Sequence, residues 1–149
     1  MINEMIQLFA FDMLIQNQDR TADGKQHGNP NLLVKGDEIV AIDHDKTFIC
    51  TDPLYGFSPQ EPWELRNENA AQHHVFNAKI RHFAEKHTLS FEPFLSKFEE
   101  MPQSILATMF EFMPTEWRDN DYETKILGHL ISIQDNLSKF SDGLLEVFA

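Results

Sequence analysis

Four oxygen-bearing side chains between residues 17 and 48 have the types and the order that phosphoryl transfer requires. Asp19 follows a strongly apolar segment, Asn29 and Asn31 come after it, and Asp43 closes the next pair of apolar runs. The reaction needs a carboxylate that orients the attacking hydroxyl and receives its proton, and oxygen ligands that hold magnesium against the nucleotide phosphates. Asp19 suits the first role, and Asn29 or Asn31 together with Asp43 suits the second.

Two short apolar runs predict a β-hairpin that positions these ligands. We expect strands at Leu32 to Lys35 and Glu38 to Ile42, because Gly36-Asp37 between them suits a tight turn. The open ends of a hairpin lie side by side, so the residue before the first strand and the residue after the second can share one ion. Asn31 and Asp43 stand at those two positions.

Helical spacing of apolar residues predicts most of the remaining structure. Residues 2 to 16 form a helix buried on most of its surface, and a polar loop follows from Asn17 to Pro30. Later in the chain, four segments have helical spacing: Ala70 to Lys86, Ser90 to Met101, Gln103 to Phe112 and Tyr122 to Phe148. The predicted fold class is α+β, mainly α: a buried helix, a loop, a small hairpin, and then a bundle of helices.

Length, charge and cysteine content limit the possible classes of protein. The 149 residues fit one domain spanning residues 1 to 149. A net charge of -12 repels phosphate backbones and anionic lipids, which argues against nucleic acid as a partner. No apolar run approaches the roughly 20 residues that cross a bilayer. With one cysteine, Cys50, and no signal-peptide pattern, the sequence predicts a cytoplasmic protein.

The ordered motifs resemble the catalytic and metal-binding loops of HipA-like kinases. These motifs are Asn17-Gln18-Asp19-Arg20, Asn29-Pro30-Asn31-Leu32-Leu33-Val34, and Ala41-Ile42-Asp43-His44 with Phe48. Two later segments, His73-His74-Val75-Phe76 and Pro114-Thr115-Glu116-Trp117, resemble the helical part of that family. The first loops are also distantly similar to those of phosphatidylinositol kinases.

The resemblance implies a kinase-like C-terminal lobe with ATP- and Mg²⁺-dependent phosphoryl transfer of the Ser/Thr protein kinase type. Asp19 would be the catalytic base, Asp43 the main magnesium ligand, and Asn29 or Asn31 the second ligand. The same asparagines and Asp43 would thereby contact ATP. The family name also points to toxin–antitoxin systems.

Two departures from the family pattern bear on activity. Asp19 and Asn29 are ten residues apart, whereas the family usually has five, because the segment Thr21 to Gly28 is longer here. Residues 1 to 16 contain neither a glycine nor a lysine, so they supply neither the glycine-rich loop nor the strand lysine of an upper lobe. We therefore expect a lower lobe whose catalysis requires an upper lobe from elsewhere.

A non-catalytic interaction module is the alternative hypothesis. The surface that an upper lobe would cover includes the hairpin and an apolar set, namely Phe48, Ile49, Leu54, Tyr55 and Phe57. If exposed, this surface favours a protein partner or self-association. His44-Asp45 and the histidines His73, His74 and His82 could indicate metal sites, but they lack the spacing of metal ligands and are expected to be ordinary surface or core residues.

Overall fold

A computed structural model describes residues 1–22, 29–48 and 61–149. Most of the segment Thr21 to Gly28 lies outside these ranges, as do Cys50 and four members of the predicted apolar set: Ile49, Leu54, Tyr55 and Phe57. The described residues form seven α-helices and one two-stranded antiparallel hairpin. The predicted class, α+β and mainly α, is confirmed.

The order of the elements along the chain is the predicted one: a helix, a hairpin and then further helices. They are α1 (Ile2–Leu14), β1 (Leu32–Lys35), β2 (Glu38–Ala41), α2 (Asn69–Gln72), α3 (Asn77–Ala84), α4 (Glu92–Glu99), α5 (Gln103–Thr108), α6 (Asn120–Asp135) and α7 (Leu137–Glu146), with a 3₁₀-helix at Thr115–Trp117. Within the described ranges, no helix is long and apolar enough to cross a membrane.

The first helix packs at the centre of the described structure. It contacts α2, α3, α4 and β2, and its residues Phe9 and Ala10 are fully buried. The core also includes fully buried side chains from α3, α6 and α7: Ile80, Ile133, Phe140 and Leu144. Each large apolar side chain buried in this way contributes about 1.5–3 kcal/mol. The helix that precedes the candidate site is thus held on several sides.

The hairpin forms where the sequence places it. Its register pairs Leu32 with Ala41 and Lys35 with Glu38. Gly36 has a φ of 61°, which a two-residue turn needs and which glycine adopts without strain. Ile42 N donates to the Asn31 carbonyl at 2.9 Å, so one backbone bond continues the pairing beyond the strands.

Two long predicted helices are each divided, and both predictions were wrong in this respect. Ala70 to Lys86 becomes α2 and α3, because the segment between them pairs with the chain near Arg20: Val75 N donates to the Arg20 carbonyl at 3.0 Å. Tyr122 to Phe148 becomes α6 and α7, and Asn136 between them leaves helical geometry with a φ of -124°. In the first case tertiary pairing overrides the local helical pattern.

Candidate functional site

The loop that carries Asp19 begins at a well-defined helix end. Two backbone bonds close the last turn of α1, from Asn17 N to the Asp12 carbonyl (2.8 Å) and from Gln16 N to the Met13 carbonyl (3.3 Å). This pattern is a Schellman motif, and Gln16 has the positive φ of 52° that the motif needs. The chain therefore leaves α1 in a fixed direction, with Asn17 to Arg20 as the following loop.

A buried carboxylate on the last turn of α1 organises this loop. Asp12 is fully buried; its Oδ2 accepts a bond from Arg20 Nε at 2.6 Å, and its Oδ1 accepts one from Asn17 Nδ2 at 2.9 Å. Arg20 is 1% exposed, so the two opposite charges compensate each other away from solvent. The backbone on both sides of Asp19 is thereby tied to α1.

His74 joins the same network from the helical part of the chain. Its Nε2 lies 3.0 Å from Asp12 Oδ2, and its Nδ1 accepts a bond from Phe76 N at 3.2 Å. These two contacts are satisfied together when His74 is neutral and its proton is on Nε2. Burial lowers the pKa of His74, more than the Asp12 contact raises it. His74 is a structural residue of the core, as expected for the histidines.

Arg20 also connects the loop to the hairpin. Its Nη1 donates to the carbonyls of Pro30 (3.1 Å) and Asn31 (2.5 Å), and its Nη2 donates to His44 Nε2 at 3.1 Å. One guanidinium group therefore holds the residue before β1 and the residue that follows Asp43. Only the planar, five-donor fork of arginine can serve these directions at once.

The side chains of Asn31 and Lys46 both contact the carboxylate of Asp19. Asn31 Nδ2 donates to Asp19 Oδ2 at 3.1 Å and lies 3.5 Å from the carbonyl oxygen of Asp43. Lys46 Nζ lies 3.4 Å from Asp19 Oδ1. Asp19 and Asn31 are buried, whereas the side chains of Asp43 and Lys46 are exposed. A carboxylate, an amide and an ammonium group are thus in contact here, beside the backbone carbonyl of Asp43.

The two candidate asparagines have different environments. Asn31 is 7% exposed and contacts both Asp19 and Asp43 through its side chain. Asn29 is exposed, and its Oδ1 accepts a bond from Asn31 N at 3.3 Å. Asn29 N donates to the Asp19 carbonyl at 2.7 Å, which closes the loop between them. Asn29 therefore shapes the chain around Asn31, and Asn31 reaches the other site residues.

Unusual backbone conformations are concentrated at the site. In the described chain, the non-glycine residues with positive φ are Gln16, Asn31, Asp43 and Phe48, at 52°, 46°, 54° and 52°. Asparagine and aspartate tolerate this conformation better than other residues, whereas phenylalanine rarely adopts it. Such strained residues persist where the surrounding structure fixes them, and they cluster at functional sites.

The donor set can be compared with what magnesium requires. Among the described residues, no group of three or more His, Cys, Asp and Glu side chains is arranged to hold a metal ion. Magnesium, however, commonly takes one or two protein oxygens and completes its shell with water and phosphate oxygens. Both Asn31 bonds use the amide nitrogen, which leaves Oδ1 to serve as a ligand, and the side chain of neighbouring Asp43 is exposed. The residues present fit that incomplete type of site.

Two residues of the site do not follow from the sequence motifs. Asp12 holds the loop, and the only signal for it is a carboxylate between Phe11 and Met13 in a helix buried on most sides, which demands a partner. Lys46 reaches Asp19 from a position 27 residues later in the chain. No local spacing rule relates two residues that far apart, so only the fold shows this pair.

Comparison with known families shows what kind of protein this chain is similar to. A family model described as HipA-like kinase matches residues 2–144. A search of curated proteins and a search of solved structures each gave no match. The matched range contains every residue of the site and nearly all of the helical part, which indicates kinase-like function in general terms. The chain therefore belongs to the HipA-like kinase family.

Proposed function

We propose that this domain binds ATP with Mg²⁺ and transfers the terminal phosphoryl group to a hydroxyl of the Ser/Thr type. The observation that carries the proposal is the position of Asn31, whose amide nitrogen donates to Asp19 and faces the carbonyl of Asp43. One side chain thus connects the candidate base to the candidate metal ligand. Residues 1 to 149 would act as one domain in the cytoplasm.

Each residue has a distinct role in this proposal. Asp19 orients the attacking hydroxyl and receives its proton on a carboxylate oxygen, while Asn31 holds that carboxylate in place. Lys46, half exposed and 3.4 Å from Asp19, supplies a positive charge next to the transferring phosphoryl group. Asn31 Oδ1 and the Asp43 carboxylate would hold Mg²⁺. When bound, Mg²⁺ neutralises charge on the phosphate oxygens.

The phosphates of the nucleotide must also be covered by a glycine-rich loop and a lysine, which an upper lobe supplies in two-lobed kinases. Residues 1 to 16 contain no glycine-rich loop and no lysine, and they form α1 in the described structure. We infer that a lobe supplied by another segment or another chain covers the phosphates. The domain alone would then bind Mg²⁺ and nucleotide weakly, and addition of that lobe would strengthen binding.

Thermal stability with and without Mg²⁺-ATP tests this site. A ligand present at about 100 times its Kd adds about 2.7 kcal/mol of stability, which raises the Tm of a domain of this size by several degrees. Asp43→Ala and Asn31→Ala should abolish the shift. Asn29→Ala should retain part of it. Asp45→Ala is the matched control, because Asp45 is an exposed aspartate two residues after Asp43, and it should behave as wild type.

The proposal fails if Mg²⁺-ATP gives no shift either with the domain alone or with a candidate upper lobe added. It also fails if Asp43→Ala and Asp45→Ala reduce the shift equally, since the binding would then be non-specific. Transfer itself is measured as labelled phosphate on protein substrate, and Asp19→Asn should lower its rate by at least about 100-fold.

A second candidate function is supported by the exposed hairpin. Leu33 and Val40 are directly paired across the strands and are 58% and 52% exposed. An apolar face of this kind would bind a protein partner or a second copy of the chain without catalysis. Light scattering of wild type and of Leu33→Ser/Val40→Ser tests it. A wild-type monomer that also fails to bind any candidate upper lobe would exclude this function.

A further inference from the structure

A second surface, formed mainly by residues 94 to 130, combines exposed apolar side chains with an open cavity. The cavity has a volume of about 460 Å³, within the range of ligand-binding pockets. Its walls come from the end of α1, the segment 44–48, α4, α5 and α6, including Phe11, Phe48, Phe98, Met101, Met109 and Leu130. Nearly all of its lining is apolar, so it suits an apolar side chain better than a polar ligand.

Two methionines on either side of α5 extend from this cavity to the surface. Met101 and Met109 line the cavity and are also 38% and 41% exposed. Four further apolar side chains between residues 105 and 117 are exposed: Ile105, Phe112, Met113 and Trp117. Phe112 is 93% exposed and Trp117 is 74% exposed. We call these six residues the α5 surface.

Exposure here extends beyond single residues. Every residue from 111 to 122 is exposed, which is unusual for a segment with three aromatic residues. Exposed apolar patches of this kind mark interaction sites on soluble proteins. Methionine side chains, three of which belong to the α5 surface, adapt to partner side chains of different shapes.

The charge around the α5 surface identifies the kind of partner. Residues 97 to 125 contain seven carboxylates and three cations, Lys97, Arg118 and Lys125, so their net charge is negative. Lys97 lines the cavity, and Lys125 is bound to Asp121 at 2.7 Å. Arg118 is already bound to Glu123 through two contacts of 2.9 and 2.7 Å. Among the described residues, Glu99, Glu100, Glu111 and Glu116 form no ion pair. An apolar surface with this acidic border complements a partner that is apolar on one face and basic around it.

Other occupants have the wrong charge. A second copy in a two-fold dimer would place the same carboxylates opposite one another. Anionic lipid and nucleic acid would be repelled in the same way. Residues 49 to 60 of this chain contain one carboxylate, Asp52, and no lysine or arginine, so they do not neutralise the border either.

We propose that the α5 surface and its cavity bind a basic amphipathic helix of a partner protein. The apolar residues of such a helix, spaced by three, four and seven positions, pack on Ile105, Phe112 and Trp117. One of them enters the cavity between Met101 and Met109. Its lysine and arginine residues lie opposite Glu99, Glu100, Glu111 and Glu116. This interface is separate from the exposed hairpin face and does not depend on catalysis.

The probe is a synthetic helix of about 18 residues, with leucine and phenylalanine on one face and lysine on the other, which is long enough to form a helix when bound. Two control peptides have the lysines replaced by glutamate or the apolar residues rearranged to break the helical spacing. The full chain is labelled at its methionine methyl groups. The probe should shift the NMR signals of Met101, Met109 and Met113 and leave those of the buried Met5 and Met13 unchanged.

Variants test the two features separately. Ile105→Asp should weaken binding at least about tenfold, and Glu111→Lys with Glu116→Lys should weaken it similarly and reduce its salt dependence. Leu145→Asp and Asp37→Lys are the matched controls, because both residues are exposed, on α7 and on the hairpin turn, and neither lines the cavity. Both should bind as wild type. All the altered side chains are exposed in the wild type, so the fold should be retained, which circular dichroism checks.

Four results would overturn the proposal. The methionine signals of the α5 surface could remain unchanged, or the glutamate peptide could bind as well as the lysine peptide. The same signals could shift with protein concentration alone, which would make a second copy the occupant. Finally, the probe could bind only after residues 49–60 are replaced by a glycine-serine linker, which would make this segment of the chain the occupant.

Discussion

Arg20 Nε lies 2.6 Å from Asp12 Oδ2, and neither side chain has any exposed surface. The pair joins the last turn of α1 to the residue that follows the candidate base. Because Arg20 also donates to the Pro30 and Asn31 carbonyls, its position fixes the start of the hairpin as well. The relative placement of Asp19 and Asn31 therefore depends on Arg20. The Arg20 side chain contacts the backbone of Asn31 but neither the carboxylate of Asp19 nor the side-chain amide of Asn31.

Removal of either member of this pair should destabilise the fold strongly. Arg20→Met leaves the Asp12 charge buried without compensation, which lowers the free energy of unfolding by about 3–5 kcal/mol. The double variant Asp12→Leu/Arg20→Met should lose less than the sum of the single variants. Urea denaturation measures all three. Arg118→Met, in the exposed pair with Glu123, is the control and should lose less; strict additivity of the buried pair would contradict the prediction.

The stabilising contribution of the neutral His74 and His129 should be lost as the pH falls below about 6.5, the ordinary pKa of histidine. Burial lowers the pKa of His74 and of His129 in the folded state, so the unfolded state binds protons first as the pH falls. The stabilising contribution is complete above the unfolded-state pKa and is lost below it. His74→Gln keeps a donor for Asp12 but does not titrate.

Urea denaturation between about pH 7.5 and about pH 5.5 checks this dependence. His74→Gln should be less stable than wild type by about 1 kcal/mol at the higher pH, since it loses the bond from Phe76 N. The difference should become smaller at the lower pH. If wild type and His74→Gln lose stability in parallel, His74 does not cause the dependence.

Glu68 should change the stability in the direction opposite to the histidines, because its ionisation at higher pH lowers the free energy of unfolding. Burial first, and then repulsion by Glu64, raise the pKa of Glu68 from 4.5 to about 7, and its buried Oε2 has no hydrogen-bond partner in the described structure. With the folded pKa raised, its contribution is fully present below about 4.5 and is lost as the pH rises through about 7. Glu68→Gln should therefore stabilise the protein at about pH 8, by on the order of 1 kcal/mol after solvent screening.

No gain is expected from Glu68→Gln near pH 4.5, where the wild-type carboxyl is also neutral. Glu64→Gln removes only the repulsion, so it should give a smaller gain at the higher pH. Thermal melting at the two pH values distinguishes these cases. An equal gain from Glu68→Gln at both would show that charge is not its cause.

Two helical glycines should respond oppositely to alanine. A Cβ at Gly143 in α7 would overlap the carbonyl of Trp63, whereas a Cβ at Gly128 in α6 would meet no atom within 4 Å. Gly143→Ala should therefore lower the free energy of unfolding by more than about 1 kcal/mol. Gly128→Ala should raise it by about 0.5–1 kcal/mol, because alanine favours the helix. Chemical denaturation measures both, and a stable Gly143→Ala would show that α7 does not pack closely on Trp63.

The parts of the fold that depend on local signals could be predicted from the sequence. The hairpin follows from Gly36-Asp37 between two apolar runs, and α1 follows from its apolar spacing; both occur within two residues of their predicted ends. The geometry of the hairpin ends also predicted that Asn31 and Asp43 lie close together, which is confirmed. The roles of Asp12, Lys46 and His74 were not predicted, because their partners are far along the chain and no periodic pattern relates them.

The break between α2 and α3 shows why these long-range contacts could not be predicted. Locally, Ala70 to Lys86 has a helical pattern, but Thr21 and His74 form a backbone bridge that a continuous helix would prevent. The bridge brings His74 to Asp12, and the buried charge gains its third partner. A local pattern was overridden by contacts that exist only in the folded chain.

These long-range contacts determine which part of the chain can carry the site. All the motif residues of the loops lie before residue 49, yet Asp12 bonds to His74, 62 residues later, and the Leu14 carbonyl bonds to His129, 115 residues later. A fragment ending at Phe48 would contain every candidate ligand and would lack His74 and His129, which bond to α1 in the full chain. We therefore expect the loop and the helices to unfold together, so that loss of the helical part also releases the geometry at Asp19.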